Sequence, residues 1–213
     1  AGTELTAATR DRLRFVRSCS APLSMATARR MEETLGVPLL AAYGMTEATH
    51  QASSVLPHHD EQTRLSTVGT PTGLSVRIVD ADGNSAPAGS TGEIWLSGPS
   101  IVRGYLDNPA ATAGTFVDGW LRTGDLGVVD GDGTLSVQGR IKEQINRGGE
   151  KISPEHVEHV LASHPDVAQA AVFGIPDDLY GERVAAVVVT HDRAEPDLAA
   201  YGRGRLADFE IPE

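Results

Sequence analysis

"GRIKEQINRGGEKISP", residues 139–154, gathers three glycines, two arginines and both lysines of a 213-residue chain. A phosphate loop, a nucleic-acid patch and a joint between two bodies would each use such a composition. The stretch is not a Walker-type loop, since neither GxxxxGKS nor GxxxxGKT occurs and the glycines lack the GxGxxG spacing. A net charge of -11 opposes general nucleic-acid affinity, which needs a basic surface. Aromatics at 5% leave few platforms for base stacking. A solvated basic turn and a ligand-bearing joint remain.

The pattern on either side favours a joint. Residues 13–16 are expected as a short strand. Met25–Leu35 is expected as a helix, with Met25, Ala28, Met31 and Leu35 near a 3–4 spacing and Gly36 as its stop. Residues 37–43 form an apolar run suited to a buried strand, so this part reads as α/β. From residue 68 the texture becomes β-rich, with runs at 75–79, 93–97, 127–129 and 135–138. Asp82-Gly83-Asn84, Ala88-Gly89 and 130–133 separate them as turns. A small, mostly antiparallel sheet or barrel is expected there. Beyond Lys142, Ser153-Pro154-Glu155 starts a helix with apolar Val157, Val160 and Leu161, ended by His164-Pro165. Strands at 167–173 and 184–190 and a helix at 198–206 complete a small α+β unit. The expected boundary lies near Lys142.

Apolar residues at 40% can build a core unaided. The single Cys19 excludes an internal disulfide and offers no zinc pattern. No terminal apolar run approaches the roughly 18–20 residues of a spanning helix. A soluble, cytoplasmic protein with no membrane or nucleic-acid partner is expected.

Two further segments carry possible chemistry. In "AAYGMTEATH", residues 41–50, Tyr43 offers a flat face for a base and Gly44 allows close approach to the backbone. The Thr46 hydroxyl can bond a phosphate oxygen, and Glu47 can hold Mg²⁺ through hard oxygen atoms. The same residues also suit a plain strand–loop–helix junction capped by Thr46. In "GWLRTGDLG", residues 119–127, Asp125 follows a tight turn and can accept two ribose hydroxyls. An aspartate in an ordinary β-turn fits equally. Arg140 in the opening stretch is a cationic fork suited to phosphate or ribose oxygens.

Taken in order, "YGMTE", "GEIWLSGPSIVRGY", "GWLRTGDLG" and "GRIKEQINRGGEKISPEHVE" resemble the acyl-adenylate-forming superfamily: acyl-CoA synthetases, luciferases and adenylation domains of peptide synthetases. "LRFVRSCSAPL", "YGMTEATHQASS" and "FGIPDDLYGE" are similar to the oxalate–CoA ligase branch. The resemblance covers nearly the whole chain. It implies that residues 1–141 are the C-terminal part of the large AMP-binding domain, with a β-rich subdomain at about 66–141. Residues 142–213 would be a shortened mobile C-terminal domain.

By this resemblance ATP, Mg²⁺ and coenzyme A are implied, with a small carboxylate as substrate. Tyr43 would stack on adenine, with the backbone around Ala42 and Gly44 along its edge. Thr46 would bond the α-phosphate, Glu47 would bind Mg²⁺, Asp125 the ribose hydroxyls and Arg140 ribose or phosphate oxygens. Lys142 matches the position about which the small domain rotates. Gly148 and Gly149 would reach the pantetheine channel after that rotation, where a side chain at Gly149 would crowd it. Related enzymes often carry "SGGAPL" where this chain has "SCSAPL", so Cys19 and Ser20 narrow the acyl tunnel. Ser20 and His50 suit a small anionic acyl group such as oxalate, since leaving polar groups unpaired against an alkyl chain costs about 1–3 kcal/mol. His50 as a helix residue bonded to a backbone carbonyl is the plainer alternative. A medium- or long-chain fatty acid or an aryl acid would keep the superfamily. A non-catalytic nucleotide-binding or interaction module would keep only the fold.

The superfamily's Ser/Thr/Gly-rich phosphate loop and its C-terminal adenylation lysine have no counterpart in this chain, and Lys151 does not match that lysine. The chain is therefore expected to be a fragment. Purified 213-residue chain is expected to catalyse no ATP–pyrophosphate exchange; exchange near the rate of an intact ligase would refute this.

Overall fold

The computed structural model describes residues 10–21, 23–191 and 195–213. Packing divides the chain into two units, Ala1–Val137 and Gln138–Glu213.

The first unit opens with strand β1 (Val16–Ser18), helix α1 (Met25–Leu35) and strand β2 (Leu39–Tyr43). The expected strand at 13–16 is displaced to Val16–Ser18. Its parallel partner β2 begins at Leu39, opposite Val16, so earlier residues have no strand to pair with. Helix α1 matches the expected bounds. The Ser24 side chain accepts the Thr27 amide, and Gly36 closes the helix at φ 69, a left-handed cap that glycine adopts without a Cβ penalty. Strands β3 (Ser53–Ser54) and β4 (Thr70–Pro71), with helix α2 (Glu61–Ser66) between them, extend the sheet to the order β1-β2-β3-β4. Ala28, Leu39 and Leu65 bury the helices against it. Pro22, within the "SCSAPL" segment, lies outside the described residues.

Strands β5 (Ser75–Val79) and β6 (Gly92–Ser97), helix α3 (Pro109–Thr115), and strands β7 (Phe116–Val117), β8 (Trp120–Val129) and β9 (Leu135–Arg140) follow. They form a sheet ordered β5-β6-β8-β7, with β9 on β8. The three consecutive pairings are antiparallel, as expected. Strand β8 is far longer than the expected run at 127–129, because β6 pairs with it from Leu121 to Gly127. Ile78, Ile94, Leu96, Leu121 and Leu135 pack with Tyr43, Ala48 and Ala52 in one core cluster.

In the second unit, "INRGGEKI" is a hairpin of β10 (Ile145–Arg147) and β11 (Glu150–Ile152), for which no strand was expected. Gly148 and Gly149 take φ 62 and 98, the paired positive values that a tight two-residue turn needs. Helix α4 (Pro154–Ala162) begins at the expected cap, Ser153, whose side chain accepts the His156 amide. Strands β12 (Val167–Asp177) and β13 (Gly181–Thr190) form a long hairpin, and the sheet order is β11-β10-β13-β12. Helix α5 (Leu198–Gly202) is shorter than the expected 198–206. It stops at buried Gly202, and the chain turns through Gly204 and Arg205 so that Arg203 and Leu206 form an isolated bridge. Among the described residues no helix is long and apolar enough to cross a membrane.

Val157 and Leu161 of α4 are fully buried beside Ile145, Ile152, Val172 and Val184. Leu161→Ala is expected to destabilise this unit by about 2–5 kcal/mol, read from urea unfolding; a change below 1 kcal/mol would contradict its place in the core.

Candidate nucleotide site and hinge segment

Strand β2 ends at Tyr43 and the chain doubles back at once. The Ala52 amide donates to the Tyr43 carbonyl at 2.8 Å, and the His50 amide to Met45 at 3.0 Å. Between them lies a 3-10 turn, Thr46–Ala48. Thr49 and His50 then take positive φ, 51 and 84, which lets the loop close in so few residues. A Cβ on Gly44 would overlap the His50 carbonyl, so the close approach at Gly44 is made by the chain itself. Ala48 and Ala52 are fully buried and pin the loop from below. His50 is exposed and follows the 3-10 turn, so the alternative of a helix residue does not hold.

Thr46 is exposed on this loop, and Glu47 is half-buried. The Tyr105 hydroxyl donates to Glu47 Oε1 at 2.7 Å, and the Val102 amide donates to the Glu47 carbonyl at 2.9 Å. Glu47 is thus held through both backbone and side chain by the 102–105 loop. The hydrogen bond to Glu47 raises the Tyr105 pKa above the usual tyrosine value of 10.0, with burial and the Glu47 charge adding to it.

Asp125 does not sit in a turn. It lies on β8, where Trp95 pairs with Arg122 and Glu93 with Leu126, so Thr123, Gly124 and Asp125 bulge opposite Ile94 alone. Gly124 adopts φ 73 there. The Thr123 hydroxyl donates to the Ile94 carbonyl at 2.7 Å and accepts the Asp125 amide at 3.0 Å. The bulge turns the Asp125 carboxylate toward β2. Its Oδ2 accepts the Tyr43 hydroxyl at 2.6 Å, across a sequence separation of 82. Both are buried, Tyr43 at 9% and Asp125 at 4% exposure, so only a small part of the Tyr43 ring is left to face a base. The structure therefore joins the "YGMTE" and "GDLG" segments directly.

Ser20 is exposed with φ 76, a left-handed backbone that favours glycine. Arg140, Lys142, Gly148 and Gly149 belong to the second unit. Arg140 ends β9, and Lys142 is exposed in a 3-10 turn, Ile141–Glu143. A Cβ on Gly149 would meet nothing within 4 Å. Ser153 Oγ donates to the Gln138 carbonyl at 2.6 Å, tying the end of β9 to the start of α4.

Glu93 and Tyr105 shape the site but were not singled out from the sequence. For Glu93 a signal existed: a carboxylate inside an apolar strand, two residues before a tryptophan and so on its face of the sheet.

A model for AMP-binding enzymes matches residues 2–106, and one for the AMP-binding enzyme C-terminal domain matches 156–213. The chain belongs to this adenylate-forming family. It is 46% identical over 209 residues to a probable CoA ligase, CCL9, of Humulus lupulus, covering 96% of this chain and 40% of that protein. An oxalate–CoA ligase of Arabidopsis thaliana is 43% identical over 205 residues, covering 95% and 40%. The ATP-bound structure of MatB from Rhodopseudomonas palustris superimposes with a TM-score of 0.85 at 35% identity, covering 92% of this chain and 40% of that one. The chain thus spans about 40% of the length of the curated relatives it matches.

Because the Tyr105 phenol holds its proton through Glu47, its contribution to stability is present below the unfolded tyrosine pKa of about 10 and is lost as pH rises through the folded value. In an absorbance titration at alkaline pH, Tyr105 is expected to ionise above the ordinary tyrosine range. Glu47→Gln is expected to return it toward the ordinary range, and an unchanged titration would contradict this assignment.

Proposed function

We propose that this chain belongs to an ATP-dependent acid–CoA ligase, which activates a carboxylate as its acyl-adenylate and passes it to coenzyme A. The observation that carries the reading is the Tyr43–Asp125 hydrogen bond, because it brings the two segments that would flank a nucleoside into one buried unit. Family membership, the CoA-ligase relatives and the ATP-bound neighbour support it.

In this reading Asp125 accepts the ribose hydroxyls on its remaining lone pairs, while Tyr43 and the backbone of Ala42 and Gly44 border the base. Thr46, exposed at the head of the 3-10 turn, donates to the α-phosphate, where charge develops as the carboxylate attacks. The carboxylate of Glu47 suits Mg²⁺, since it supplies hard oxygen and keeps acceptor capacity beyond its bond to Tyr105. When bound, the metal would neutralise charge on the transferring phosphate. Arg140 adds a cationic contact to ribose or phosphate. Lys142 is the pivot about which Gly148 and Gly149 are carried toward the pantetheine channel.

The acyl group is a small dicarboxylate such as oxalate. Ser20 and His50 both sit on left-handed backbone at exposed turns. They supply polar groups that an alkyl chain would leave unpaired, and the identity to an oxalate–CoA ligase supports the same class. Steady-state kinetics of the intact enzyme with oxalate, malonate and octanoate should give the highest kcat/KM for oxalate. A preference for octanoate would overturn the substrate, and no thioester from any acid would overturn the ligase reading.

A further inference from the structure

Glu93 is buried at 9% exposure in the middle of β6, an expensive place for a carboxylate unless donors surround it. Four donor groups do. Oε1 accepts the Gly124 amide at 3.1 Å. Oε2 accepts Trp95 Nε1–H at 2.8 Å and the Arg122 Nε and Nη2 groups at 3.3 and 3.2 Å. Trp95 and Arg122 also belong to a stack across three strands. The Arg77 guanidinium lies 4.3 Å from the Trp120 ring centroid and 4.6 Å from that of Trp95, and Arg122 covers Trp95 at 5.5 Å. One oxygen of Glu93 therefore terminates a rigid ladder, and the other holds the amide immediately before Asp125.

We infer that Glu93 is a positioning residue for Asp125: its carboxylate ties the Thr123–Gly124–Asp125 bulge to the Trp120–Arg77–Trp95–Arg122 ladder and so fixes the direction in which Asp125 meets the ribose hydroxyls. The inference rests on the ribose role proposed for Asp125. The extra residue of a bulge drops out of the ladder, and here the Glu93 carboxylate and the Thr123 hydroxyl accept the Gly124 and Asp125 amides. A purely structural carboxylate would matter for stability alone. A positioning one would matter for ribose hydroxyls specifically.

The test is calorimetric binding of AMP and of 2′,3′-dideoxy-AMP to the 213-residue chain and its Glu93→Gln variant, each checked for folding by thermal unfolding. The wild-type chain is expected to prefer AMP about tenfold or more, the scale of hydrogen bonds to a charged acceptor. In Glu93→Gln, which cannot accept all four donors, the preference is expected to fall to about twofold or less while dideoxy-AMP binding holds. A folded Glu93→Gln chain that keeps the full preference overturns the inference. A wild-type chain that binds neither nucleotide, or both equally, overturns the ribose role beneath it. If Glu93→Gln does not fold, the same comparison on Glu93→Asp decides, since that variant keeps the buried charge but withdraws it from Gly124 by one methylene.

Discussion

The first unit is organised by a single short hydrogen bond, from the Tyr43 hydroxyl to the Asp125 carboxylate. It spans two sheets, which also meet where Leu135 exchanges backbone hydrogen bonds with Val68 and Gly69 at 2.9 and 2.8 Å. A hydrogen bond inside a low-dielectric core is stronger than its surface equivalent, and losing either partner strands a buried polar group. Much around it serves to keep its ends in place. On one side the 43–52 loop closes through Gly44 and the His50 carbonyl. On the other, Glu93 and Thr123 hold the bulge that brings Asp125 into range. Ile94, Leu96 and Leu121 then fill the space behind with apolar bulk.

Local chemistry made much of this legible in the sequence. Helix α1 announced both ends, through its apolar spacing and Gly36. The two aspartate turns were equally plain, because one mechanism serves both: Asp80 Oδ1 accepts the Asp82 and Asn84 amides, and Asp130 Oδ1 accepts those of Asp132 and Thr134. Ser153-Pro154-Glu155 likewise encodes its cap within three residues. Tyr43 and Asp125 could be marked individually by residue type.

What could not be read was anything set by a partner distant in sequence. Nothing inside "RTGDL" says that it bulges rather than turns, and the carboxylate that accepts its Gly124 amide lies some thirty residues earlier. The hydroxyl of Tyr43 gives no sign of its acceptor, and Glu47 gives none of Tyr105. The start of β1 is set by its neighbour β2, not by Leu13 or Phe15. The β10–β11 hairpin is a different kind of miss. Gly148-Gly149 between two short runs with β-branched ends is a recognisable hairpin signal.

The bond from Ser153 Oγ to the Gln138 carbonyl has a mechanical consequence. Together with Gly139, where a Cβ would collide with Ser153 and Glu155, it closes the segment bearing Lys142 into a ring anchored at both ends. The backbone from Gln138 to Ser153 is thereby held at both ends within the second unit.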